Sequence, residues 1–502
     1  MKYFLMLIQL WVGFLPICAS YPKANIWIIP SVESPQVYRN YAQTSKVHLE
    51  MARGEVEHIQ LVFPSKVNEE YRFTFDRNLK GIQISARELK KMNGYYDALV
   101  PFKNQLKCTD TLTAVWITVQ CPSRVPVGKY HQTIKIEGSK HFTIQLDYNV
   151  HHTTIPLKSS IPITVGVENR CVAEGLNDKE ADKERQRWVD FVLSYRMTPV
   201  FGTQITPERW QYEHSFSPWA WNDKRSIRLL NDRRYSCYML PFFTLSENEL
   251  ASLLCNIQKK GKLKESLFYI WDEPAYMEDY EQIKQKVNII RKYASDARIL
   301  TTFFCGPRNG PRKGDLYAVF DYLKHHIHVA TISLAPCKGN EEEVQHIRYK
   351  VPEGIDWWSY VCWQPGGNEP NFLLQMKGIQ QRAIMWRTWK NGSQGFLYWN
   401  CNIYHKRNPF TYITDMPHGD GILIYPGDIL GRKGPIASAR LERWRDGAEE
   451  MELLRLVEKN YSKEKADTLL NIVYSSPLSF IEKAHNIPVS YTHLRAHETG
   501  RN

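Results

Sequence analysis

Between residues 162 and 475, short apolar runs alternate with longer segments of helical periodicity. This alternation is typical of repeated strand–helix units, which build a parallel sheet covered by helices. The apolar runs predict eight strands, at residues 163–167, 199–202, 238–243, 267–271, 299–304, 329–334, 357–363 and 395–400. Helices are predicted at residues 177–195, 247–260, 277–294, 372–390 and 435–460. Eight such units match a (β/α)8 barrel, so we predict a TIM-like barrel over residues 162–475.

Residues 24–155 have a different pattern, in which Gly and Pro turns separate short and often alternating apolar runs. This pattern predicts a β-sandwich of two antiparallel sheets, so the expected fold class is multidomain, β followed by α/β. Residues 151–162 are predicted to be a linker. The β-region contains no cluster of catalytic residue types and is expected to pack on the barrel. The predicted strands lie at residues 25–29, 47–51, 58–63, 115–119, 133–136 and 142–150.

The two ends of the chain are not expected to belong to the folded protein. Residues 1–20 combine a positive start, an apolar run and small residues, which is the pattern of a secretory signal peptide. Residues 15–18 are similar to a lipoprotein processing site, but Ile17 is bulky where that site has a small residue, so cleavage near Ser20 is favoured. The expected location is therefore secreted or periplasmic, without a membrane span. Residues 489–502 lack apolar periodicity and are predicted to be a disordered or artefactual tail.

Composition excludes several function classes. With 43% hydrophobic and 24% charged residues, the chain is typical of a soluble globular protein. The basic residues behind the net charge of +12 are scattered, which argues against nucleic-acid binding. No phosphate-binding glycine loop, serine-nucleophile elbow or metal-ligand spacing occurs, so neither a cofactor nor a metal is predicted. The aromatic content is high, at 15 Trp, 28 Tyr and 20 Phe, and aromatic rings both fill cores and stack on sugars.

The fourth predicted strand of the barrel ends in two adjacent carboxylates, in the sequence LFYIWDEPA at residues 267–275. Asp272 and Glu273 thus stand at the carboxyl end of a strand, where such barrels keep their catalytic residues. An alternative is that Asp272 caps the next helix, with Pro274 in its first turn. Successive residues of a regular strand face opposite sides, so both carboxylates can enter one pocket only if the strand ends or bends at Asp272.

Other predicted strand ends run into aromatic and polar residues. Aromatic walls with a few directed polar groups around a carboxylate pair have the composition of a sugar pocket. Each aromatic residue taken alone fits core packing equally well. The candidates for substrate binding are Trp271, Tyr360, Trp363, Tyr398, Trp399 and Asn400.

Two later segments, residues 419–427 and 438–447, are rich in glycine and charge. We interpret them mainly as structure, with an ion-pair network that anchors the last helix. Asp420 is the member of these segments that is not excluded from the site. The expected network consists of Arg440, Glu442, Arg445 and Asp446.

Four motifs resemble glycoside hydrolase family 123 and the wider group that shares its barrel domain. They are WDEP at 271–274, GFLYW at 395–399, GDGILIYPG at 419–427 and SARLERWRDG at 438–447. ARGE at 52–55 is similar to the β-region of that group, and the resemblance covers about residues 24 to 475.

The resemblance implies an exo-acting, retaining β-N-acetylgalactosaminidase that uses substrate assistance and no cofactor. Glu273 takes the general acid/base position, and Asp272 the position that holds the 2-acetamido group of the substrate. The acetamido oxygen would attack the anomeric carbon to form an oxazolinium ion, with Tyr360 or Tyr398 as a hydroxyl donor to that oxygen. The sequence leaves open a glycosidase of another specificity, a non-catalytic glycan-binding protein, and the oligomeric state.

Overall fold

The computed structural model describes residues 25–76, 81–206, 211–337, 339–404, 408–409 and 419–481. The predicted signal peptide at 1–20 and the predicted tail at 489–502 lie outside these residues. In the described part of the chain, no helix is long and apolar enough to cross a membrane.

The N-terminal region is rich in β-structure, as predicted. Its strands are β1 (Trp27–Pro30), β2 (Lys46–Arg53), β3 (Val56–Pro64), β4 (Glu70–Phe75), β5 (Gln83–Met92), β6 (Tyr95–Pro101), β7 (Gln105–Lys107), β8 (Leu112–Gln120), β9 (Gly128–Glu137) and β10 (His141–Thr154). They form two five-stranded sheets, in the orders β1–β3–β8–β5–β6 and β2–β10–β9–β4–β7. All neighbours are antiparallel except β2 and β10, which run parallel.

Strand alternation explains the core of this region. In β10, the side chains of Phe142, Ile144 and Leu146 are buried, and the polar residues between them are exposed. They share one apolar cluster with Val115 and Ile117 of β8, so the two sheets face each other across that cluster. Strands β4 to β7 are additional to those predicted. In β4, β5 and β7 polar and charged residues separate the apolar ones, whereas β6 contains a short apolar run that was not assigned to a strand.

The second region contains a nine-stranded, barrel-like sheet that nearly closes. Its order is β13–β12–β11–β19–β18–β17–β16–β15–β14, and all neighbours are parallel except β12 and β13. Beyond the edge, a hydrogen bond from Phe216 N to Met239 O (2.7 Å) links the two ends. The strands are β11 (Ile163–Glu168), β12 (Thr198–Thr206), β13 (Gln211–Ser215), β14 (Tyr238–Met239), β15 (Ser266–Trp271), β16 (Arg298–Phe303), β17 (Val329–Ser333), β18 (Asp356–Val361) and β19 (Phe396–Tyr398).

Each of the eight predicted strands overlaps one of the eight parallel strands, and β13 is the addition. Side chains such as Leu267, Leu300 and Val329 fill the inside of the sheet, while Phe268 and Ile270 face the helices. The helices are α1 (Asn169–Ala173), α2 (Asp178–Ser194), α3 (Lys224–Leu229), α4 (Glu247–Lys259), α5 (Met277–Tyr293), α6 (Ala318–Leu323), α7 (Glu341–Tyr349), α8 (Gly378–Arg382), α9 (Ile384–Lys390), α10 (Ala439–Asn460) and α11 (Lys463–Asn471). Two hairpins complete the fold, β20 (Ile424–Pro426) with β21 (Pro435–Ala437), and β22 (Tyr474–Ser476) with β23 (Ser479–Phe480).

Two predicted helices have different bounds. The helix predicted at 372–390 begins only at Gly378 and is divided at Ala383 into α8 and α9. The helix predicted at 435–460 begins at Ala439, because residues before it pair with β20 and the Ser438 hydroxyl accepts the Leu441 N–H (3.1 Å) as a cap.

The long helix α10 is buried along residues 439–454 and joins the two regions. Arg440 donates to the Asp97 carboxylate of β6 (Nη2–Oδ2 2.9 Å), and Arg87 of β5 donates to Glu442 (2.5 Å). Arg445 also pairs with Glu442. Buried charges are tolerated when they are paired and hydrogen-bonded, so this network accounts for a charged helix in the interior.

Candidate active site

An irregularity at the end of β15 determines which side chains point to the inside of the sheet. Tyr269 pairs with Leu300, but Trp271 pairs with Thr301, so Ile270 is an extra residue in the ladder. The inside–outside alternation therefore shifts by one residue after Tyr269. As a result Asp272 turns inward beside Thr302 of β16, and Trp271 turns outward.

Asp272 is held by two hydroxyl groups at the inner end of the sheet. Its Oδ1 accepts hydrogen bonds from Tyr269 Oη and Thr302 Oγ1, each at 2.7 Å. The same Thr302 oxygen accepts the backbone N–H of Glu273 (3.0 Å). Thr302 thus fixes both members of the pair.

Glu273 follows in a backbone conformation that side-chain-bearing residues rarely adopt, with φ of 45°. The strand has ended at Trp271, so this turn brings the carboxylate of Glu273 to the same end of the sheet as that of Asp272. Burial and then the negative charge of Asp272 raise the pKa of Glu273 to about 7, against the opposing effects of Tyr360 and Arg308. Tyr360 of β18 donates its hydroxyl hydrogen to Glu273 Oε1.

Asp272 does not cap α5, which excludes the capping alternative. The helix begins at Met277, and the carboxylate of Asp279 accepts the N–H groups of Ala275 (2.8 Å) and Tyr276 (2.9 Å). Since Asp279 satisfies these donors, the carboxylates of the pair are not needed at the start of the helix.

The added strand β13 contributes His214 to the inner wall. The His214 ring stacks on Tyr269, with ring centroids 4.1 Å apart and an interplanar angle of 18°. Burial lowers the pKa of His214 to about 4, so the imidazole is neutral near pH 7. It supports the tyrosine whose hydroxyl binds Asp272.

A buried carboxylate, that of Asp420, lies beside the side chains at the end of β19. Asp420 is 3% exposed, and its Oδ1 accepts hydrogen bonds from Tyr398 Oη and Trp399 Nε1, each at 3.0 Å. Its Oδ2 has no partner among the described residues. Burial raises the pKa of Asp420 to about 6. The preceding residue, Gly419, offers its carbonyl oxygen to Arg440 Nη1 (2.7 Å), which couples this carboxylate to the network of α10.

Asp272, Tyr269 and His214 line a cleft inside the sheet. A glycine at position 166 is required there, because a Cβ would lie 1.8 Å from the carbonyl oxygen of Trp399. The lining has the mixed aromatic and polar character of a sugar site. It consists of Thr164, Gly166, Val167, Val200, Gly202, Tyr212, His214, Tyr269, Asp272, Leu397, Tyr398, Trp399 and Asn400.

The predicted site residues fall into three groups. Asp272, Tyr398, Trp399 and Asn400 line the cleft, and Tyr360 reaches Glu273. Trp363 is 43% exposed, two residues beyond the end of β18. The structure does not bring Trp271 to the cleft, because the extra residue at Ile270 turns it toward α5, where Lys286 lies 5.3 Å from its ring centroid.

Three site residues were not predicted. Thr302 stands inside a predicted strand and carries no signal beyond its polarity. His214 lies on the unpredicted strand β13, in a segment where the apolar pattern is weak. Arg308 lies in a loop next to Glu273. The one sequence signal for this loop was that it follows a predicted strand of the barrel.

Comparisons with known proteins identify a family and a similar fold. A family model described as "Glycoside hydrolase 123, catalytic domain" matches residues 183–457. The structure of a family 123 glycoside hydrolase from Clostridium perfringens, studied for glycolipid glycan hydrolysis, is similar with a TM-score of 0.62 and 14% identity, over 95% of this chain and 97% of that chain. No match was found among curated proteins.

Two further solved structures are much less similar. A GH2 β-galacturonidase from Eisenbergiella tayi has a TM-score of 0.35 and 9% identity, over 78% of this chain and 69% of that chain. An FMN-binding β-glucuronidase from Facaelibacterium prausnitzii has a TM-score of 0.32 and 9% identity, over 80% of this chain and 59% of that chain.

Proposed function

The chain belongs to glycoside hydrolase family 123, and we propose that it is a retaining exo-glycosidase. Its proposed reaction removes terminal β-linked N-acetylgalactosamine from glycans by substrate assistance. The choice of sugar rests on the family resemblance of the motifs around Asp272 and Glu273. A glycan substrate is further supported by the relative from Clostridium perfringens, which was studied for glycolipid glycan hydrolysis.

The observation that carries the proposal is the contrast between two adjacent carboxylates. Glu273 has a pKa of about 7, so a substantial fraction is protonated at neutral pH and can act as a general acid. Asp272 instead accepts two hydroxyl hydrogen bonds, which fix its carboxylate beside Glu273. An acid with a raised pKa next to a carboxylate held in place by hydroxyl groups is the arrangement that a proton donor and its partner need.

The reaction proposed for this pair proceeds in two steps. In the first, Asp272 accepts the acetamido N–H, and the acetamido oxygen attacks the anomeric carbon as Glu273 protonates the departing glycosidic oxygen. The oxazolinium ion that forms carries a positive charge, which Asp272 stabilises. In the second, Glu273 removes a proton from water, and that water opens the ion with net retention.

The rest of the cleft supplies groups suited to hold a sugar ring. Trp399 lines the cleft and Trp363 is exposed two residues beyond the end of β18, and both are proposed as apolar platforms for the ring. Asn400 and Tyr398 complete the proposed substrate-binding set. Asp420 Oδ2 is proposed to accept a sugar hydroxyl, because it has no partner among the described residues and a buried oxygen is costly to leave unpaired.

Two further proposals concern the architecture and the location. The eight parallel strands are proposed to form a (β/α)8 barrel in which β13 occupies the gap between β12 and β14, and the two N-terminal sheets are proposed to be a β-sandwich. Secretion, or export to the periplasm, is proposed from the signal-peptide pattern at residues 1–20.

The proposed function is tested with aryl β-N-acetylgalactosaminide and a thiazoline analogue of the oxazolinium ion. Wild-type protein is expected to hydrolyse the galactosaminide faster than the matching glucosaminide, and the thiazoline to inhibit competitively. Asp272→Asn is expected to weaken thiazoline binding about ten- to a hundredfold, since a hydrogen bond to a charged group contributes roughly 1.5–3 kcal/mol.

Asp296→Asn is the matched control, because Asp296 is exposed beyond the far end of α5. It should leave the inhibition constant unchanged. Turnover without any thiazoline inhibition would contradict substrate assistance, and a preference for the glucosaminide would assign another sugar to the same site.

Removing the hydroxyl of Tyr360 is expected to change the pH dependence of kcat/KM. Its hydrogen bond lowers the pKa of Glu273, so removing it with Tyr360→Phe should raise that pKa above about 7. The acid form is the active form in the first step, so kcat/KM falls as pH rises through the pKa of Glu273. We therefore expect the alkaline limb of the kcat/KM profile to move up by about one pH unit in the variant.

Tyr293→Phe serves as the control for this experiment, because its hydroxyl bonds Glu247 (2.5 Å) on the outer helices. Its profile should match that of the wild type. An alkaline limb that stays in place or moves to lower pH in Tyr360→Phe would show that Glu273 is not the group being titrated.

A further inference from the structure

The loop after β16 carries a cation, Arg308, beside the turn that follows Glu273. Arg308 Nα donates to the carbonyl oxygen of Ala275 (2.8 Å), and Asn309 Oδ1 accepts the N–H of Met277 (2.7 Å). These bonds attach the loop to the turn between Glu273 and the start of α5. Its position relative to the acid is fixed by these bonds, so Arg308 is a constant neighbour of the acid.

The charge of Arg308 is available to a ligand. Its side chain is exposed and forms no ion pair with a carboxylate among the described residues, whereas Arg312 in the same loop pairs with Asp315 (3.6 Å) and Asp321. The side chains of Cys305 and Tyr276 lie against the Arg308 guanidinium. Tyr276 is itself 49% exposed, so a cation and an aromatic ring stand together at the surface.

The chemistry of the pair fixes which part of a substrate meets these residues. Asp272 serves the acetamido group, so it marks the side of the sugar ring that is retained. Glu273 must touch the glycosidic oxygen, which joins that ring to the leaving group. Arg308 and Tyr276 are exposed at the turn that follows Glu273, which places them to meet the leaving group and not the retained ring.

We propose that Arg308 and Tyr276 form a leaving-group subsite that selects glycans in which an acidic residue, carrying a carboxylate or sulfate, follows the terminal sugar. The proposal rests on the proposed function of Asp272 and Glu273, and it names the substrate class of that same site. Arginine presents planar N–H donors that match carboxylate and sulfate oxygens, and the tyrosine face covers the apolar side of a ring.

The experiment compares two aryl β-N-acetylgalactosaminides that differ only in the aglycone, one with a meta-carboxylate and one with the isosteric meta-carboxamide. The measured quantity is the ratio of their kcat/KM values. In wild-type protein at low salt we expect it to exceed its value in Arg308→Gln two- to fivefold, the range of an exposed ion pair. The ratio cancels effects that Arg308→Gln exerts on Glu273, because both substrates need the same acid.

Two controls separate the charge of Arg308 from general electrostatics. Lys324→Gln removes one exposed positive charge at the end of α6 and should leave the wild-type ratio unchanged. Arg308→Lys should retain part of the preference, and 0.5 M NaCl should reduce it, since screening weakens exposed ion pairs.

The possible outcomes are distinct. An equal ratio in wild type and Arg308→Gln overturns the subsite while leaving the proposed function intact. A ratio that falls equally in Lys324→Gln assigns the preference to the overall field and also overturns the subsite. Failure of the wild type to hydrolyse either substrate contradicts the proposed function itself, and the subsite falls with it.

Discussion

Glu273→Gln is expected to lower kcat/KM about 10²- to 10⁴-fold for a substrate with a poor leaving group, such as a disaccharide, which is the range that general acid catalysis contributes. The glutamine has the shape of the acid and still accepts the Tyr360 hydroxyl, but it has no proton to give. Glu273 has a pKa of about 7, so the wild-type rate should also decline above neutral pH, and this decline should vanish in the variant. Steady-state kinetics across pH measures both effects.

Comparing substrates with good and poor leaving groups tests the acid role of Glu273 more directly. A dinitrophenyl glycoside departs without protonation, so its kcat/KM should be far less affected by Glu273→Gln than that of the disaccharide. Glu281→Gln, on the outer face of α5 where Glu281 pairs with Lys284 (2.7 Å), is the matched control and should behave as wild type. An equal loss for both leaving groups would show that Glu273 does not act as the acid.

Glu442→Gln is expected to lower the free energy of unfolding by about 3–5 kcal/mol, the cost of removing one partner from a buried ion pair. Glu442 has a side chain that is only 1% exposed, and it faces Arg87 (2.5 Å) and Tyr195 (2.8 Å) as well as Arg445. The variant keeps the volume and removes the negative charge, so two arginine side chains lose their shared anion. Urea unfolding followed by tryptophan fluorescence measures the change.

The pH dependence of this effect has a definite sign. After the penalty of burial, the charges of Arg445, Arg87 and His58 hold the pKa of Glu442 well below its ordinary value. A lowered folded-state pKa gives stability that is present above the unfolded-state pKa of about 4.3 and is lost as pH falls through the folded-state value. The difference between wild type and Glu442→Gln should therefore persist from pH 7 to about 4 and shrink below that.

Glu458→Gln is the control on the same helix. Glu458 pairs with Arg455 at 3.9 Å, and both side chains are about a third exposed, so we expect a change below about 0.5 kcal/mol. A comparably small change in Glu442→Gln would mean that the two arginines find other partners when the carboxylate is gone.

The sequence was sufficient to predict the parallel strands because each contains a short apolar run and helical segments separate most of these runs. Tyr238–Met239 is an observed strand of only two residues where six were predicted, and the reason is that an apolar run records burial and not hydrogen bonding. Strand β13 was not predicted, because its sequence QYEHS carries mostly polar side chains and its pairing with β12 depends on a distant gap in the sheet.

For the site, Asp272 and Glu273 were predicted from their position, and the structure brings them to one mouth. The extra residue at Ile270 was not predictable, because a bulge is a property of two paired strands, and the sequence of one strand does not record its partner's register. Without the extra residue at Ile270, Trp271 would point to the inside of the sheet, and it was predicted to bind substrate. In the structure it faces α5. His214 and Thr302 act through Tyr269 and Asp272, so only the folded geometry shows their role.

The position of Arg440 has a consequence for how this enzyme can be divided or recombined. One guanidinium holds Asp97 of the N-terminal region (2.9 Å) and the carbonyl oxygen of Gly419 (2.7 Å), next to Asp420 in the catalytic region. Excision of the N-terminal sheets would remove the carboxylate partner of Arg440, whose guanidinium also holds the loop of Asp420, and would expose the buried side of α10. The catalytic region is therefore not a portable module, and chimeras that exchange it between relatives must carry both regions across together.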